Sequence, residues 1–409
     1  MEWLLELFNQ LGDIFCLLTR EGKSVYVVSN PDYVKHVLVA NHCNYTKGVG
    51  IDRVKILLGN GLMASEGDFW QRQRKLVQPA FHKTVLSGML EAIRDCNLTL
   101  IDRWRQSQVA NTSVDITEET SNLTLRIVLD ALFGDQIGRA FETGSANPFS
   151  VLTDEPERNL QFAYKFRGLG KQLQQWIEQR RECSSPRQDL LALMMQARDR
   201  QSGEPMTDKQ LIDEAMTLIV AGHETTASAL NWLWYLVSQH PEVERTLHDE
   251  IDATELPVDL QLDDLNRFTY TRQVIAETLR LYPPGWLLTR RAIGEDRIGN
   301  YRVPAGSDVF ISPYLVHRHP DLWNELDAFR PERFDTPQSH RYASIPFAAG
   351  PRACIGEQFA LAEMTLHVAM VARRFRLCYV PGQPIAVEAQ VNLRTRNNLW
   401  MRVIPRNSH

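Results

Sequence analysis

The chain has 409 residues, 44% hydrophobic and 23% charged, a composition typical of a globular protein with a substantial core. Its formal net charge of -5 argues against a nucleic acid as the main partner, because nucleic-acid-binding surfaces are basic. Its six cysteines include no CxxC pair, which argues against a disulfide framework and indicates a reducing compartment, so we expect a cytoplasmic protein.

The first predicted elements form a small β-rich region. The N-terminal stretch MEWLLELFNQLGDIFCLL is apolar but interrupted by polar residues such as Glu6 and Asp13. It therefore lacks the roughly 18 continuous apolar residues of a membrane span and favours a short amphipathic helix. Residues 13–18 and 24–28 flank the turn-like TREGK and predict a hairpin, and Pro31 begins a helix that reaches about residue 40.

Most of the remaining chain has apolar residues at three- and four-residue steps, which predicts a mainly helical protein. Helices are predicted at residues 87–107, 116–133, 159–181, 188–197, 242–253 and 262–281. The longest predicted helix begins at Thr207, which forms a capping box with Gln210, and ends near His240. At 1.5 Å per residue it would be about 50 Å long. Short strands are predicted in TRRAIGEDRIGNYRVPAGSDVFIS and VNLRTRNNLWMRVIP.

We find no linker and expect a single domain over residues 1–409. Its small β-rich part is expected at about residues 11–40, 286–312 and 385–405, and the rest is expected to be helix-rich.

One segment, FAAGPRACIGEQFALAEM, places Cys354 between Gly350 and Gly356, just before a helical pattern. The dipole and N–H groups of a helix N-terminus, with the charge of Arg352, would lower the pKa of this thiol and suit it to bind a soft metal. Most cysteines are instead small, inert, buried side chains, and we interpret the others in this chain that way. The full pattern F-x-x-G-x-R-x-C-x-G, from Phe347, resembles the haem-binding loop of the cytochrome P450 family, whose cysteine thiolate is the axial ligand of haem iron.

Charged motifs on both sides of residue 300 extend this resemblance. Glu277 and Arg280 share a helix face in AETLR, which alone would indicate only a common surface ion pair. They resemble the family's E-x-x-R motif, which is followed here by LYPP and then by FRPERF with Arg333. The resemblance implies that Glu277, Arg280 and Arg333 form a buried network that locks the cysteine loop and so retains the haem.

The segment IVAGHETTAS lies in the middle of the longest predicted helix. Gly222 and the two threonines that follow Glu224 weaken regular helix packing and could bend the helix. His223 and Glu224 match the start of the zinc motif H-E-x-x-H, but Ala227 occupies the place of the second histidine, so we reject a zinc site. A partly exposed polar turn is the plainer alternative.

From Ala221 onward, the same segment resembles the family's A-G-x-[DE]-T-[TS] signature. The resemblance implies a groove for dioxygen above the iron, in which Thr225 hydrogen-bonds the bound oxygen and Glu224 relays protons from solvent. Cleavage of the O–O bond requires such protons, while the thiolate supplies electron density from the other side.

In GDFWQRQRKLVQPAF, Trp70 and Arg74 lie four residues apart on a predicted helix. An exposed basic helix face would explain the pattern equally well. The family uses W-x-x-x-R to hold a haem propionate, so the resemblance implies that Trp70, Arg74 and Arg352 bind the propionates.

A further propionate arginine usually follows the E-x-x-R helix in the family. Arg290 and Arg291 are both available at this place. We favour Arg291 because its spacing to the acidic Asp296 fits better, but the alternative stays open.

These motifs occur in the family's order, and the resemblance covers nearly the whole chain. It identifies a soluble, bacterial-type member with the P450 fold: mainly α with small β-sheets, a triangular prism of helices, and haem b between the long central helix and the cysteine-loop helix. Relative to eukaryotic members, we expect no leader or transmembrane anchor. The segment 134–181 is shorter than usual, which indicates either a reduced lid or a missing mobile loop.

The implied reaction inserts one oxygen atom of O2 into a lipophilic substrate such as a fatty acid, terpenoid, carotenoid or similar natural product. Electrons would come from NAD(P)H through a separate ferredoxin or flavodoxin-type partner with its reductase, because the chain has no flavin or iron–sulfur segment. An H2O2-driven peroxygenase and a non-catalytic haem sensor are the alternatives, and Glu224 and Thr225 argue against both.

Two further sets of residues are expected to contact other molecules. Substrate contacts are expected from residues 49–58, Ala221, Leu287, Leu288 and Val391. Docking of the redox partner is expected on the cysteine side, at Arg72, Lys75, Arg352, Arg373 and Arg374.

Overall fold

The computed structural model describes residues 1–19, 22–108, 113–134, 152, 160–182 and 189–406. Its described helices are α1 Glu2–Leu11, α2 Pro31–Lys35, α3 Ile51–Leu58, α4 Gly67–Val77, α5 Lys83–Ser87, α6 Leu90–Gln108, α7 Ile116–Phe133, α8 Leu160–Glu182, α9 Leu190–Gln196, α10 Asp208–Gln239, α11 Pro241–Ala253, α12 Thr269–Leu281, α13 Pro313–Val316 and α14 Glu357–Ala372. Its described strands are β1 Ile14–Leu18, β2 Ser24–Val28, β3 Tyr45–Lys47, β4 Val114–Asp115, β5 Leu288–Ala292, β6 Asp296–Ile298, β7 Tyr301–Val303, β8 Asp308–Ile311, β9 Phe375–Tyr379, β10 Val387–Ala389, β11 Leu393–Thr395 and β12 Trp400–Pro405. The choice between a reduced lid and a missing loop in the segment 134–181 falls largely on residues outside these ranges.

Helix α10 is the central element, and it is continuous over 32 residues. The predicted capping box is confirmed, since the Thr207 hydroxyl accepts the Gln210 N–H and the Gln210 side chain accepts the Thr207 N–H. Most of α10 is buried, because it packs against α7 along its length and also contacts α8, α12 and the C-terminal strands. Gly222 permits the close approach to α7: a Cβ there would lie 3.0 Å from Cγ2 of Val128.

The predicted helix over residues 262–281 is wrong as one continuous element. A 3-10 helix covers Leu262–Arg267, Phe268 is not helical, and α12 begins at Thr269. The break has a tertiary cause, because the Glu250 carboxylate of α11 accepts the N–H groups of Tyr270 and Thr271 at 2.5 and 2.8 Å. Those N–H groups are unpaired at a helix start, so Glu250 stabilises a new N-terminus there.

The strands form separate sheets. The predicted hairpin is confirmed as the antiparallel pair β1–β2, which is part of a five-stranded sheet in the order β1-β2-β8-β5-β3. Strand β12 pairs instead with β4 and β9, and β10 pairs with β11, so these strands do not join the five-stranded sheet. Strand β11 contacts α10, and β12 contacts α6 and α7.

This arrangement positions the candidate site. Helix α14 follows the cysteine loop and packs on α6, α12 and α10, while the five-stranded sheet has its own apolar core. Within the described ranges, no helix combines the length and the apolarity that crossing a bilayer requires.

Candidate functional site

The backbone of the loop around Cys354 requires a glycine at position 350. Gly350 has φ +74°, and a Cβ at this position would overlap the carbonyl oxygen of Leu38. A glycine is therefore required both for the left-handed conformation and for the close approach. The Cys354 N–H donates to the carbonyl of Phe347 at 2.9 Å, which closes the loop just before α14.

The Cys354 side chain is solvent-accessible, although protein surrounds it closely. Burial raises the pKa of its thiol, while the N–H of Gly356 and the charge of Arg74 act in the opposite direction. The sequence predicted a lowered pKa for the Cys354 thiol. This prediction is wrong when only the protein surrounds the thiol, because the effect of desolvation is larger than that of the helix N-terminus. A metal cation bound to the sulfur is the partner that would favour the thiolate, so this donor fits a metal ligand.

The predicted residues of α4 contact the cysteine loop. The guanidinium of Arg352 lies 4.2 Å from the ring centroid of Trp70, and Arg74 Nη1 donates to the carbonyl of Ala353 at 3.0 Å. Arg352 also forms an ion pair with Glu66. Trp70, Arg74 and Arg352 therefore lie together, as the sequence predicts.

Lys47 and Arg290 join this cluster. Arg290 was one of the two arginines that the sequence offered, whereas no sequence motif indicated Lys47. Burial, and then the charge of Arg352, lowers the pKa of Lys47 to about 7 and that of Arg290 to about 10. The carboxylate of Glu66 pairs with Arg352 and accepts the backbone N–H of Lys47 at 2.7 Å. Three basic groups thus crowd around the Glu66 carboxylate, and this surplus of basic groups fits the carboxylates of a bound anionic group such as a haem, whose charge would favour the protonated form of Lys47.

The structure places Arg291 outside this cluster and Arg290 within it, so the geometry favours Arg290, the alternative that the sequence left open. Successive residues of β5 point to opposite faces of the sheet, and Arg291 pairs with Asp308 of β8 through two hydrogen bonds of 2.9 Å. The anticipated partner, Asp296, hydrogen-bonds His36 and Tyr45 instead. Arg290 is the arginine of this pair that lies near Arg352.

The Glu277–Arg280 pair is fully buried. Arg280 Nε and Nη2 donate to the two carboxylate oxygens of Glu277 at 2.6 and 2.7 Å, and both side chains have 0% exposure. Arg333 Nε donates to the same carboxylate at 3.1 Å. The structure therefore brings together the three residues of the predicted lock.

His317, in the HRHP segment, connects this lock to the cysteine loop. No sequence motif predicted this role. Its Nδ1 lies 3.1 Å from the carbonyl of Arg280, and its Nε2 accepts the N–H of Ile345 at 2.8 Å. Burial lowers the pKa of His317 to about 3, so the ring is neutral. Only the tautomer with hydrogen on Nδ1 makes both bonds.

The middle of α10 carries the predicted acid and alcohol. Thr225 Oγ1 donates to the carbonyl of Ala221 at 2.7 Å, and the helix continues without a break. The carboxylate of Glu224 accepts a hydrogen bond from the Asn392 side chain at 3.0 Å. His223 Nε2 lies 2.9 Å from the Ser121 hydroxyl.

An apolar surface pocket of about 800 Å³ opens between α1, the β1–β2 hairpin and the chain after α12. Val49 and Leu287, two of the expected substrate contacts, line it together with Trp286 and Ala389. Its size and apolar walls suit a lipophilic small molecule.

The loop between α3 and α4 is anchored to α10 by a buried carboxyl group. Glu214 accepts the N–H of Leu62 at 2.9 Å and the side-chain amide of Gln73 at 3.0 Å. Burial is the largest influence on Glu214 and raises its pKa from 4.5 to about 7.

Comparison with known proteins was consistent across sequence and structure. The family model "Cytochrome P450" matches residues 2–397. Cyclooctatin synthase of Streptomyces melanosporofaciens is 33% identical over 392 residues, covering 91% of this chain and 84% of that protein. Carotene epsilon-monooxygenase of Arabidopsis thaliana is 29% identical over 437 residues, covering 97% of this chain and 80% of that protein. The crystal structure of cytochrome P450DA heme domain has a TM-score of 0.90 at 25% identity, covering 100% of this chain and 92% of that one.

The helical fold and the cysteine loop define a haem-thiolate oxidoreductase. The chain belongs to the cytochrome P450 family. The expected fold class is confirmed, and the chain is an enzyme of the cytochrome P450 monooxygenase class.

Glu214→Gln should change how stability depends on pH. Below about pH 4.5 the wild-type carboxyl group is protonated in both the folded and the unfolded chain. Between about pH 4.5 and 7 it is ionised only in the unfolded chain. The free energy of unfolding therefore falls as the pH rises through this window. The variant lacks this loss and should gain on the order of 3 kcal/mol relative to wild type across that window. Urea unfolding at several pH values measures the difference, with the exposed Glu91→Gln as control. A difference that does not vary with pH would contradict the assignment.

Proposed function

We propose that the chain is a haem-thiolate monooxygenase that hydroxylates a lipophilic substrate of the terpenoid or carotenoid class. It would use O2 and electrons that reach it from NAD(P)H through a separate redox partner. The main observation behind this proposal is the accessible Cys354 thiol in a loop whose conformation requires Gly350. A cluster of basic residues lies beside this loop, and the buried Glu277–Arg280 pair supports it. The relative named carotene epsilon-monooxygenase supports this substrate class, and the apolar pocket suits a lipophilic molecule.

Separate groups of residues would hold the haem, support the cysteine loop and transfer protons. Haem b, when bound, supplies the activation of dioxygen. Cys354 would hold its iron, and Trp70, Arg74, Arg352, Arg290 and Lys47 would hold its carboxylates. Phe347 and Gly350 would shape the loop, Gly356 leads into α14, and Glu277, Arg280 and Arg333 would keep the loop in place. On α10, Ala221 would contact the haem and the substrate, while Thr225 and Glu224 would move protons to the reacting oxygen.

We place docking of a ferredoxin or flavodoxin-type partner on the cysteine side, with Lys75 as the contact whose side chain is exposed. The other four predicted cations are partly buried: Arg72 donates to the carbonyls of Glu204 and Pro205, and Arg373 donates to that of Ile251. Arg374 likewise donates to the carbonyl of Met370 at the end of α14. We further propose a single domain and a cytoplasmic location.

The thiolate assignment can be tested by reducing the purified protein, adding carbon monoxide and recording its spectrum. Wild type should show the strongly red-shifted Soret band of a thiolate–carbonyl complex, and Cys354→Ala should lose it because no sulfur remains on the iron. Cys378→Ala is the matched control and should keep the band. NADPH-dependent turnover with a surrogate redox chain, compared with H2O2 alone, separates the monooxygenase from a peroxygenase, and absence of both activities would indicate a sensor.

The arginine of the cation cluster is tested by comparing Arg290→Gln with Arg291→Gln. Removal of Arg290 should release haem to an acceptor protein about tenfold faster, because a charge-assisted hydrogen bond to a carboxylate is lost. Arg291→Gln removes only the pair with Asp308 and should leave the release rate near that of wild type. The reverse order of rates would restore Arg291 as the propionate ligand.

Thr225→Ala should uncouple electron consumption from product formation, because the hydroxyl that hands protons to the reacting oxygen is gone. We expect NADPH oxidation to continue while peroxide accumulates and product falls about tenfold. Thr246→Ala is a matched control, since its hydroxyl also donates to the carbonyl four residues earlier but Thr246 lies exposed on α11. Wild-type coupling in Thr225→Ala would refute the relay role.

A further inference from the structure

The C-terminal hairpin β10–β11 lies between the apolar pocket and α10. Ala389, at the end of β10, lines the pocket, and the carbonyl of Gln390 accepts a hydrogen bond from Trp286 Nε1 at 2.9 Å. Val391 at the tip is 78% exposed. The turn is therefore anchored on its pocket side at Gln390, while its tip reaches solvent.

A row of polar side chains on α10 fastens the hairpin from the other side. Ser228 Oγ donates to the carbonyl of Leu393 at 2.6 Å, and Asn231 Nδ2 donates to the hydroxyl of Thr395 at 2.9 Å. Glu224 continues the row, since it lies four residues before Ser228 on the same helix face. Its partner in the hairpin is Asn392, whose Nδ2 donates to Oε2 of the carboxylate at 3.0 Å.

We propose that Asn392 is a positioning residue that holds the Glu224 carboxyl group in the orientation needed to pass protons toward Thr225. The proposal rests on the proposed function, which gives Glu224 the proton-relay role. Glu224 is half-buried, and a glutamate side chain has several rotamers. A fixed hydrogen-bond partner lowers the side-chain entropy that Glu224 would lose in each proton transfer.

The chemistry of the amide suits this task. An amide donates through its nitrogen to the ionised carboxylate and can accept through its oxygen from the protonated carboxyl group. Asn392 can therefore remain bonded to Glu224 in both protonation states, without the strong preference for the ionised state that a cationic partner would impose. The backbone of Asn392 is itself fixed, because the N–H of Leu393 donates to the carbonyl of Pro284 at 3.0 Å and Ser228 holds the same residue.

The test compares Asn392→Ala, Asn392→Asp and Asn392→Gln in the haem-loaded enzyme with a surrogate redox chain. The alanine and aspartate variants lose the donor and should form about tenfold less product per NADPH, with a larger solvent isotope effect. The glutamine variant keeps the amide and should recover at least half of the coupling. Asn397→Ala is the matched control: this amide donates to the carbonyl of Pro384 at 3.0 Å, away from α10, and should keep wild-type coupling.

A second readout excludes a merely structural role. Hydrogen exchange of residues 387–395, measured without turnover, should be about equal in Asn392→Asp and wild type, because Ser228 and Asn231 still fasten the hairpin. In a double-mutant cycle, Asn392→Ala should add no further loss of coupling to Glu224→Gln.

The outcomes separate the two hypotheses. Wild-type coupling in Asn392→Ala together with lost coupling in Glu224→Gln would overturn the positioning role and leave the proposed function intact. Additive losses in the double variant would also overturn it. Wild-type coupling in Glu224→Gln would refute the relay itself, and the positioning role would fall with it.

Discussion

The buried ion pair between Glu277 and Arg280 is the interaction on which the site depends. Two charges with no exposed surface are tolerated only when every hydrogen-bonding group is used, and removal of one partner from such a pair typically costs about 3–5 kcal/mol. Here Arg280 also donates to the carbonyls of His317 and Leu326, at 2.9 and 2.8 Å. The pair therefore gathers separate chain segments onto α12, and His317 extends this order to Ile345, just before the cysteine loop.

The site draws its charges from different elements. The cations that surround Glu66 come from β3, β5 and the cysteine loop, whereas the acid on α10 is held by the C-terminal hairpin. In the proposed function, binding of an anionic group and handling of protons would therefore depend on contacts from different elements. Substitutions in one set should therefore add to substitutions in the other with little interaction between them.

Features that depend on neighbouring residues were predictable from the sequence. The capping box at Thr207, the β1–β2 hairpin and the extent of α10 follow from local hydrogen bonding and apolar spacing. The break at Phe268 was not predictable in this way, because the carboxylate that stabilises the new helix start belongs to Glu250 on α11. Local propensity alone favours continuing that helix, and a tertiary contact decides against it.

The sequence by itself determined the family, the fold class and the identity of the cysteine loop, because the spacing of glycines, charges and cysteine reflects backbone and ligand requirements that act within a few residues. Only the tertiary structure decided which of Arg290 and Arg291 joins the cation cluster, since the choice depends on which face of β5 meets Asp308. Only the tertiary structure brought Asn392 to Glu224, 168 positions away in the chain. Such pairings depend on how distant elements pack, and no local pattern in the sequence encodes them.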